Sequence, residues 1–368
     1  MLKQYDPITG LWPESPGYGF GTALCIKSWQ KSLMACGEDV VGDNQVLQKA
    51  IDAIPVWSDW RGKSICFGDF RGGQIGKDSP VGKMGWTASS FSPFHRMAVL
   101  KNFDDSSFPM MACLYGGRAG SHLSKNGLAV QFYGFGYALA PDASAYESYW
   151  SADYNYHQSV EGANTITPGY EEGEVKLNEM YPSVDPLRQF YAKDENAKKY
   201  QLADMTAGEK RRRVILVKAG KGKGYYVDIF SPGVENSRYI MHTVGRDVKV
   251  HSPKKDGSCV VDWDVSDSIS VRLWVSGGTR RKYSTSMKPA SYIDASLTPN
   301  GVSTGKEKTP TFYSEQTAPV VYANIYEPYL KGKPTISKVE WIYENGNPKK
   351  MLVTHFDGSK RTFAVDVK

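Results

Sequence analysis

From about residue 86 onward the chain is a run of short apolar or alternating segments, each closed by a turn signal, and this pattern constrains the fold more than any other feature. FPMMACLY at 108–115, GLAVQFY at 127–133, RVILVKA at 213–219, GYYVDIF at 224–230 and ISVRLWV at 269–275 have the length and residue types of strands. Between such segments stand turn clusters: GKGKG at 220–224, KKDG at 254–257 and NGNP at 345–348. The tail at 336–367 reads as two or three hairpin strands around Asn345-Gly346 and Asp357-Gly358. Many strands with few helices between them predict stacked antiparallel sheets, a mainly β chain built as a β-sandwich. The 23 tyrosines, 36 glycines and 20 prolines lean the same way.

The amino end has a different period. Leu24, Trp29, Leu33 and Met34 recur at helical spacing in 22–36, with Gly37 as a C-cap. A second helix is predicted over 43–54, with Asp43 as N-cap and Pro55 as its stop. The expected organisation is therefore a helical part over 1–85, an antiparallel sandwich over 86–310, and carboxy-terminal strands over 311–368 that complete or extend it. The residues of the helical part are too few to close a ring of helices on themselves.

Composition excludes several function classes. The net charge of +6 favours anionic partners, such as an acidic polysaccharide. Nucleic acid is not expected, because the basic residues are dispersed and no RRM, helix-turn-helix or zinc-finger spacing occurs. The five cysteines are odd in number and form no CxxC pair, so no disulfide framework is expected. No apolar run is long enough for a membrane span, and this stretch of sequence opens without the form of an export signal. The oligomeric state is not legible.

Three segments hold residue types suited to chemistry. GLWPESPGYGF at 10–20 holds Trp12, Glu14 and Tyr18 at a helix entrance between prolines and glycines, where a phenol can serve as acid or base or simply pack in a turn. GGRAGSHLSKNGL at 116–128 puts Arg118 and His122 in a glycine-rich loop ahead of a strand. An imidazole there can accept a proton near neutrality, and an arginine can pair with a carboxylate, although a structural histidine fits the same residues. The third runs from PDASAY at 141–146 through DYNYHQ at 153–158 to EGANTI at 161–166. Asp142 and His157 are weak metal-ligand candidates there, since two such residues at irregular spacing make a poor zinc signal, and a hydrogen-bonded loop reads equally well.

Taken together and in this order, GLWPESPGY, SHLSKNG, PDASAY and GANTI resemble the motifs of the heparinase II/III-like polysaccharide lyases. That family shows a DG-x-W/Y-x-E-x-SPxY segment late in a helical toroid, SHxHxD opening a β-sandwich, then DPG-x-x-Y and AHNT. YYVDIF at 225–230, YIMH at 239–242 and IYEPY at 325–329 look like its later sandwich strands, so the resemblance runs from Gly10 to about Ile342. It implies an antiparallel supersandwich preceded by the end of an incomplete (α/α) toroid, and β-elimination on a uronic-acid polysaccharide. By this resemblance Tyr18 is the acid, and also a candidate base, while His122 is the base or its partner. Arg118 is a candidate contact for a substrate carboxylate or sulfate, and Trp12, Glu14 and Tyr146 are candidate substrate-binding residues. The implied location is the periplasm or the exterior of a bacterium.

Departures from the family pattern matter. Ser124 and Ala163 stand where the family has two histidines of a structural zinc site whose aspartate is matched by Asp142, and Asn126 replaces the aspartate of SHxHxD, so no cofactor is required and that site is expected to be lost or rebuilt. The family's carboxylate-neutralising Asn or His lies well before the tyrosine segment, beyond the residues present, so this chain reads as part of a longer lyase or as a protein that lost most of its toroid. A second reading follows: a non-catalytic carbohydrate-binding or scaffold protein that kept the sandwich. A glycoside hydrolase would need two facing carboxyls, and the spacing of Glu14 and Asp142 does not support that pairing. The run Lys210-Arg211-Arg212-Arg213 reads as a solvated strand edge or, less readily, a polyanion contact, Trp57 and Trp60 as helix packing or cleft lining, and His242 as a core residue of its strand or, less readily, one facing the cleft.

Overall fold

The structure, a computed structural model, describes residues 5–12, 16–39, 45–53, 55–63, 65, 87–92, 96–116, 127–141, 156, 159–168, 189–191, 199–207, 209–233, 235–278, 281–289, 299 and 308–365. Among these the chain is mainly β, as its turn-punctuated pattern predicts. Two helices precede the strands, α1 (Pro16–Ala35) and α2 (Gln45–Asp52).

A five-stranded antiparallel sheet comes first in the chain: β1 (Ser90–Ser92), β2 (Met97–Asn102), β3 (Met110–Tyr115), β4 (Ala129–Gly134) and β5 (Tyr137–Ala140), in that order in space. Next come β6 (Ile166–Pro168), β7 (Gln189–Tyr191), β8 (Tyr200–Ala207), β9 (Lys210–Gly220), β10 (Lys223–Ser231) and β11 (Ser237–His242). The remainder are β12 (Asp247–Val250), β13 (Cys259–Asp264), β14 (Ile269–Val275), β15 (Lys282–Pro289), β16 (Lys308–Gln316), β17 (Tyr322–Leu330), β18 (Ile336–Glu344), β19 (Asn347–His355) and β20 (Lys360–Ala364). They form an eight-stranded sheet in the order β12-β13-β14-β17-β10-β9-β8-β7, a four-stranded sheet β15-β16-β11-β6, and a three-stranded sheet β18-β19-β20. The expected division at 310/311 falls inside β16, and β17 lies within the eight-stranded sheet between β14 and β10.

The layers follow from side-chain alternation along the strands. In β10, Tyr226 and Phe230 face a core shared with Phe132 of the five-stranded sheet and Tyr239 and Phe312 of the four-stranded sheet. Tyr225, Val227 and Ile229 point the other way, onto Val339, Trp341, Met351 and Val353 of the three-stranded sheet. A strand buried on both faces has no use for alternation, which is why YYVDIF is almost continuously apolar. The far face of the five-stranded sheet offers Met97, Val99, Met111, Cys113 and Tyr133 to Leu11, Ala53 and Trp57 of the helical part. The order of layers is thus helices, five-stranded sheet, eight-stranded sheet, three-stranded sheet, with the four-stranded sheet sharing the central core.

The predicted turns form for the expected reason. Asn345 and Gly346 both take positive φ, 50° and 77°, the two left-handed residues a two-residue hairpin needs between twisted strands. Gly37 ends α1 at φ 83°.

Two expectations are corrected. Leu24, Trp29, Leu33 and Met34 of α1 are exposed, Trp29 to 62%. The side of α1 that packs on α2 is instead made by Ala23 and Ile26, together with Leu47, Ala50 and Ile51 of α2. Nor is Lys210–Arg213 a solvated edge: β9 lies between β8 and β10, and Arg212 is fully buried. Arg212 is tolerated there because Asp228 takes two charge-assisted hydrogen bonds from it, Nε to Oδ1 at 2.7 Å and Nη2 to Oδ2 at 2.6 Å. Arg211 and Arg213 share Asp204 on the opposite side of the strand. Trp57 is a core residue, in keeping with helix packing. No disulfide joins the described cysteines.

Candidate functional site

The site is organised by a buried asparagine between the short 3-10 turn Val160–Gly162 and β6. Asn164 donates from Nδ2 towards three carbonyls, Val130 at 3.1 Å, Ala140 at 3.1 Å and Pro141 at 2.7 Å. Its Oδ1 accepts from the backbone N–H of His242 at 2.6 Å and lies 2.9 Å from His242 Nδ1. Its own carbonyl accepts from Val130 N and from Arg212 Nη1. Beside it, Thr165 Oγ1 donates to Gly127 O at 2.8 Å, and Arg212 Nη1 reaches Leu128 O at 2.7 Å. One buried polar node therefore ties together Gly127, where the segment holding Arg118 and His122 meets β4, and Pro141, where the segment holding Asp142 and Tyr146 begins. Such a network rigidifies its surroundings only when every member is satisfied, and Asn164 uses both ends of its amide.

On β11, at the carboxyl end of YIMH, the buried His242 meets a phenol. Tyr156 Oη lies 2.7 Å from His242 Nε2, with the rings edge to face. The backbone of Tyr156 is secured by Ser159, whose N–H and Oγ both donate to its carbonyl at 3.0 Å and 2.7 Å. Next to this pair, Glu161 Oε1 accepts from Tyr313 Oη at 3.3 Å and lies 3.7 Å from Lys288 Nζ and 3.9 Å from Arg238 Nη1. Arg238 is also paired with Glu315 at 2.6 Å. Lys288 Nζ stands 5.8 Å from the centroid of the Tyr156 ring. His242 and Arg238 come from β11, Lys288 from β15, and Tyr313 and Glu315 from β16, strands of one sheet, while Glu161 comes from the 3-10 turn and Tyr156 from the chain before it. A phenol on an imidazole nitrogen can move protons near neutrality, and Arg238 and Lys288 alongside are paired with Glu161 and Glu315.

Of the residues expected from sequence, Tyr18 lies in the first turn of α1 and is 39% exposed. Trp12, expected at a substrate surface, is instead a packing residue: it is 9% exposed, its ring centroid is 4.6 Å from that of Tyr5, and Gly19 abuts it. A methyl group at Gly19 would stand 2.3 Å from Trp12 Cβ, so only glycine lets α1 approach this closely. Glu14, Arg118, His122, Asp142, Tyr146 and His157 lie outside the described residues.

Sequence reading did not single out Tyr156, Asn164 or His242 as site residues. The available signal was a histidine closing an apolar strand, which must be hydrogen-bonded when buried.

The resemblance places a metal-ligating histidine at the position of Ala163. The Ala163 methyl is fully buried in the apolar cluster of Leu11, Trp57 and Tyr133, so that position offers no donor atom. Among the described residues no group of three His, Cys, Asp or Glu converges. The other positions of that pattern, 124, 126 and 142, and the alternative ligand His157 lie outside the described residues, and no step below passes through a metal.

No family model and no curated protein matches the sequence. Solved structures do match the fold. Heparinase III, the BT4657 gene product, aligns over 98% of this chain and 58% of its own at TM-score 0.69 and 12% identity. Heparan sulfate lyase HepC from Pedobacter heparinus aligns over 98% and 60% at TM-score 0.70 and 14% identity. A further heparinase III structure gives 98% and 61% at TM-score 0.68 and 12% identity. The chain thus has a heparinase III-like fold and spans about three fifths of the length of these structures.

Proposed function

We propose that this chain belongs to a carbon–oxygen lyase that cleaves a uronic-acid-containing acidic polysaccharide by β-elimination. The observation that carries this reading is the match of nearly the whole chain to structures of heparan sulfate lyases, with the motif segments in the family's order. In β-elimination the C5 proton beside the uronate carboxylate is removed, a C4–C5 double bond forms, and the 4-linked oxygen leaves with a proton. The reaction needs a base, an acid and positive charge near the carboxylate. Tyr18, 39% exposed, is the acid in this reading. His122 is the base or the base's partner, and Arg118 meets a carboxylate or sulfate. Glu14 and Tyr146 line the substrate. The net charge of +6 suits a polyanionic chain, and the proposed setting is periplasmic or extracellular. Among the described residues no helix is long and apolar enough to cross a membrane.

The test is continuous absorbance of the conjugated unsaturated uronate during incubation of the full-length protein with heparan sulfate and other uronate polymers. A rise that disappears in Tyr18→Phe and His122→Ala is expected. No rise on any polymer overturns the reading. A second reading, a non-catalytic carbohydrate-binding protein, is favoured by one observation: a buried apolar methyl at the position of a family histidine. It wins if the protein retains a uronate polymer without turning it over and both variants bind equally.

A further inference from the structure

We propose that Tyr156 is a further catalytic residue, the phenol that exchanges a proton with substrate, and that His242 is its positioning residue, oriented by Asn164. The inference rests on the lyase reading above and assigns it a proton-transferring pair that the motif resemblance does not contain.

The hydrogen-bond directions are forced one after another. Carbonyl oxygens cannot donate, so the three carbonyls around one end of the Asn164 amide require its nitrogen there. A backbone N–H cannot accept, so the atom 2.6 Å from His242 N must be the amide oxygen. That oxygen also faces His242 Nδ1 at 2.9 Å, and two acceptors would repel, so Nδ1 carries a proton. In a neutral imidazole Nε2 then holds the lone pair. The Tyr156 hydroxyl, 2.7 Å away, therefore donates to it. The result is a phenol whose proton already points at a base, with the tautomer set by a third group, as in other activated side-chain pairs.

Among the described residues, Lys288 of β15 lies over the Tyr156 ring, and Arg238 of β11, Glu161 of the turn and Glu315 of β16 are charged groups of the same cluster. The two carboxylates are engaged by Arg238 and Lys288 rather than opposed to the phenol. The half-buried Tyr156 sits above the buried His242, so the phenol is the member of the pair that can meet a ligand.

In the elimination, Tyr156 passes its proton to His242 Nε2 and takes the C5 proton with the oxygen so freed. The C5–H electron pair becomes the C4–C5 double bond, and the C4–O4 bond breaks. Tyr18 protonates O4. The imidazolium then loses its proton to solvent and Tyr18 regains one, so the enzyme returns to its starting state with no net proton uptake. His122 acts in this scheme as the partner rather than the base.

The experiment measures kcat, KM and the pH profile of unsaturated uronate release by full-length wild type, Tyr156→Phe, His242→Gln and His242→Ala, beside 15N NMR of the histidine rings. Tyr156→Phe is expected to lower kcat by about 10²–10⁴-fold with KM within a few-fold. His242→Gln, which keeps a hydrogen-bonding group near Nε2 but cannot take a proton, is expected to lower kcat and shift the acidic limb of the profile while the protein stays folded. The NMR is expected to show the His242 proton on Nδ1, and a shift of Nε2 on Tyr156→Phe. Wild-type kcat retained within threefold by Tyr156→Phe overturns the proposal, as does a proton found on Nε2. A wild type that forms no unsaturated uronate overturns the lyase reading and the catalytic role with it, while the NMR still decides the Tyr156–His242 pair by itself.

Discussion

Arg212→Met tests the buried node on which the site stands. Arg212 is fully buried, makes two hydrogen bonds to Asp228, holds Leu128 O and Asn164 O through Nη1, and lies 4.7 Å from the Phe230 ring centroid. Methionine fills most of the volume but strands a carboxylate in the core, with Tyr239 Oη at 2.9 Å as its remaining described donor. Breaking a buried ion pair from one side costs about 3–5 kcal/mol. The lost bonds to Leu128 O and Asn164 O, the second of which still accepts from Val130 N, fall within that range rather than adding to it, because the energies of one network are not additive. Urea unfolding followed by tryptophan fluorescence should therefore show Arg212→Met less stable by about 3–5 kcal/mol. Asp228→Asn in the Arg212→Met background removes the stranded charge and keeps an acceptor for Tyr239, and it should restore more than half of the loss. A single variant within about 1 kcal/mol of wild type, the size expected of an exposed pair, would refute the reasoning. A double variant as unstable as the two singles summed would refute it equally.

Two further expectations concern other parts of the fold. Burial pushes the Glu327 carboxyl up to about 7 from its ordinary 4.5, although it accepts from Thr335 N, Ile336 N and Trp274 Nε1. Between those values the folded chain holds a proton that the unfolded chain has lost, so stability falls as pH rises from about 4.5 to 7. Glu327→Gln should flatten that slope in urea titrations at successive pH values, and an unchanged slope would contradict the assignment. Gly10 has φ 71°, and a Cβ there would lie 2.2 Å from Lys49 O. Gly10→Ala should cost on the order of 1–3 kcal/mol and loosen the packing of 5–12 on α2, read as faster proteolysis near the amino end.

The parts of this molecule legible in the sequence are those encoded locally. YYVDIF, the Asn345-Gly346 turn and Gly37 each state their structure within a few residues, so the strands, hairpins and helix end were expected and found. The basic run at 210–213 misleads because its partners lie elsewhere in the chain. Asp204 and Asp228 neutralise it through the β8-β9 and β9-β10 pairings, and a charge pattern alone cannot distinguish that from a solvated edge. The face of α1 was misjudged for a related reason. Periodicity names its largest apolar side chains, whereas close approach to α2 selects the small Ala23 and the adjacent Ile26. At the site, GANTI and YIMH were noticed as strings, but the contact between Asn164 and His242 spans 78 residues and exists only after β11 pairs with β6.

The most direct test of the central claim is the mass of the products released by the full-length protein from a uronate oligosaccharide of defined length. Elimination redistributes atoms without adding any, so the two fragments should together weigh what the parent weighs, with the fragment from the reducing side lighter by one water than its saturated counterpart. Fragments that together exceed the parent by one water would contradict the account.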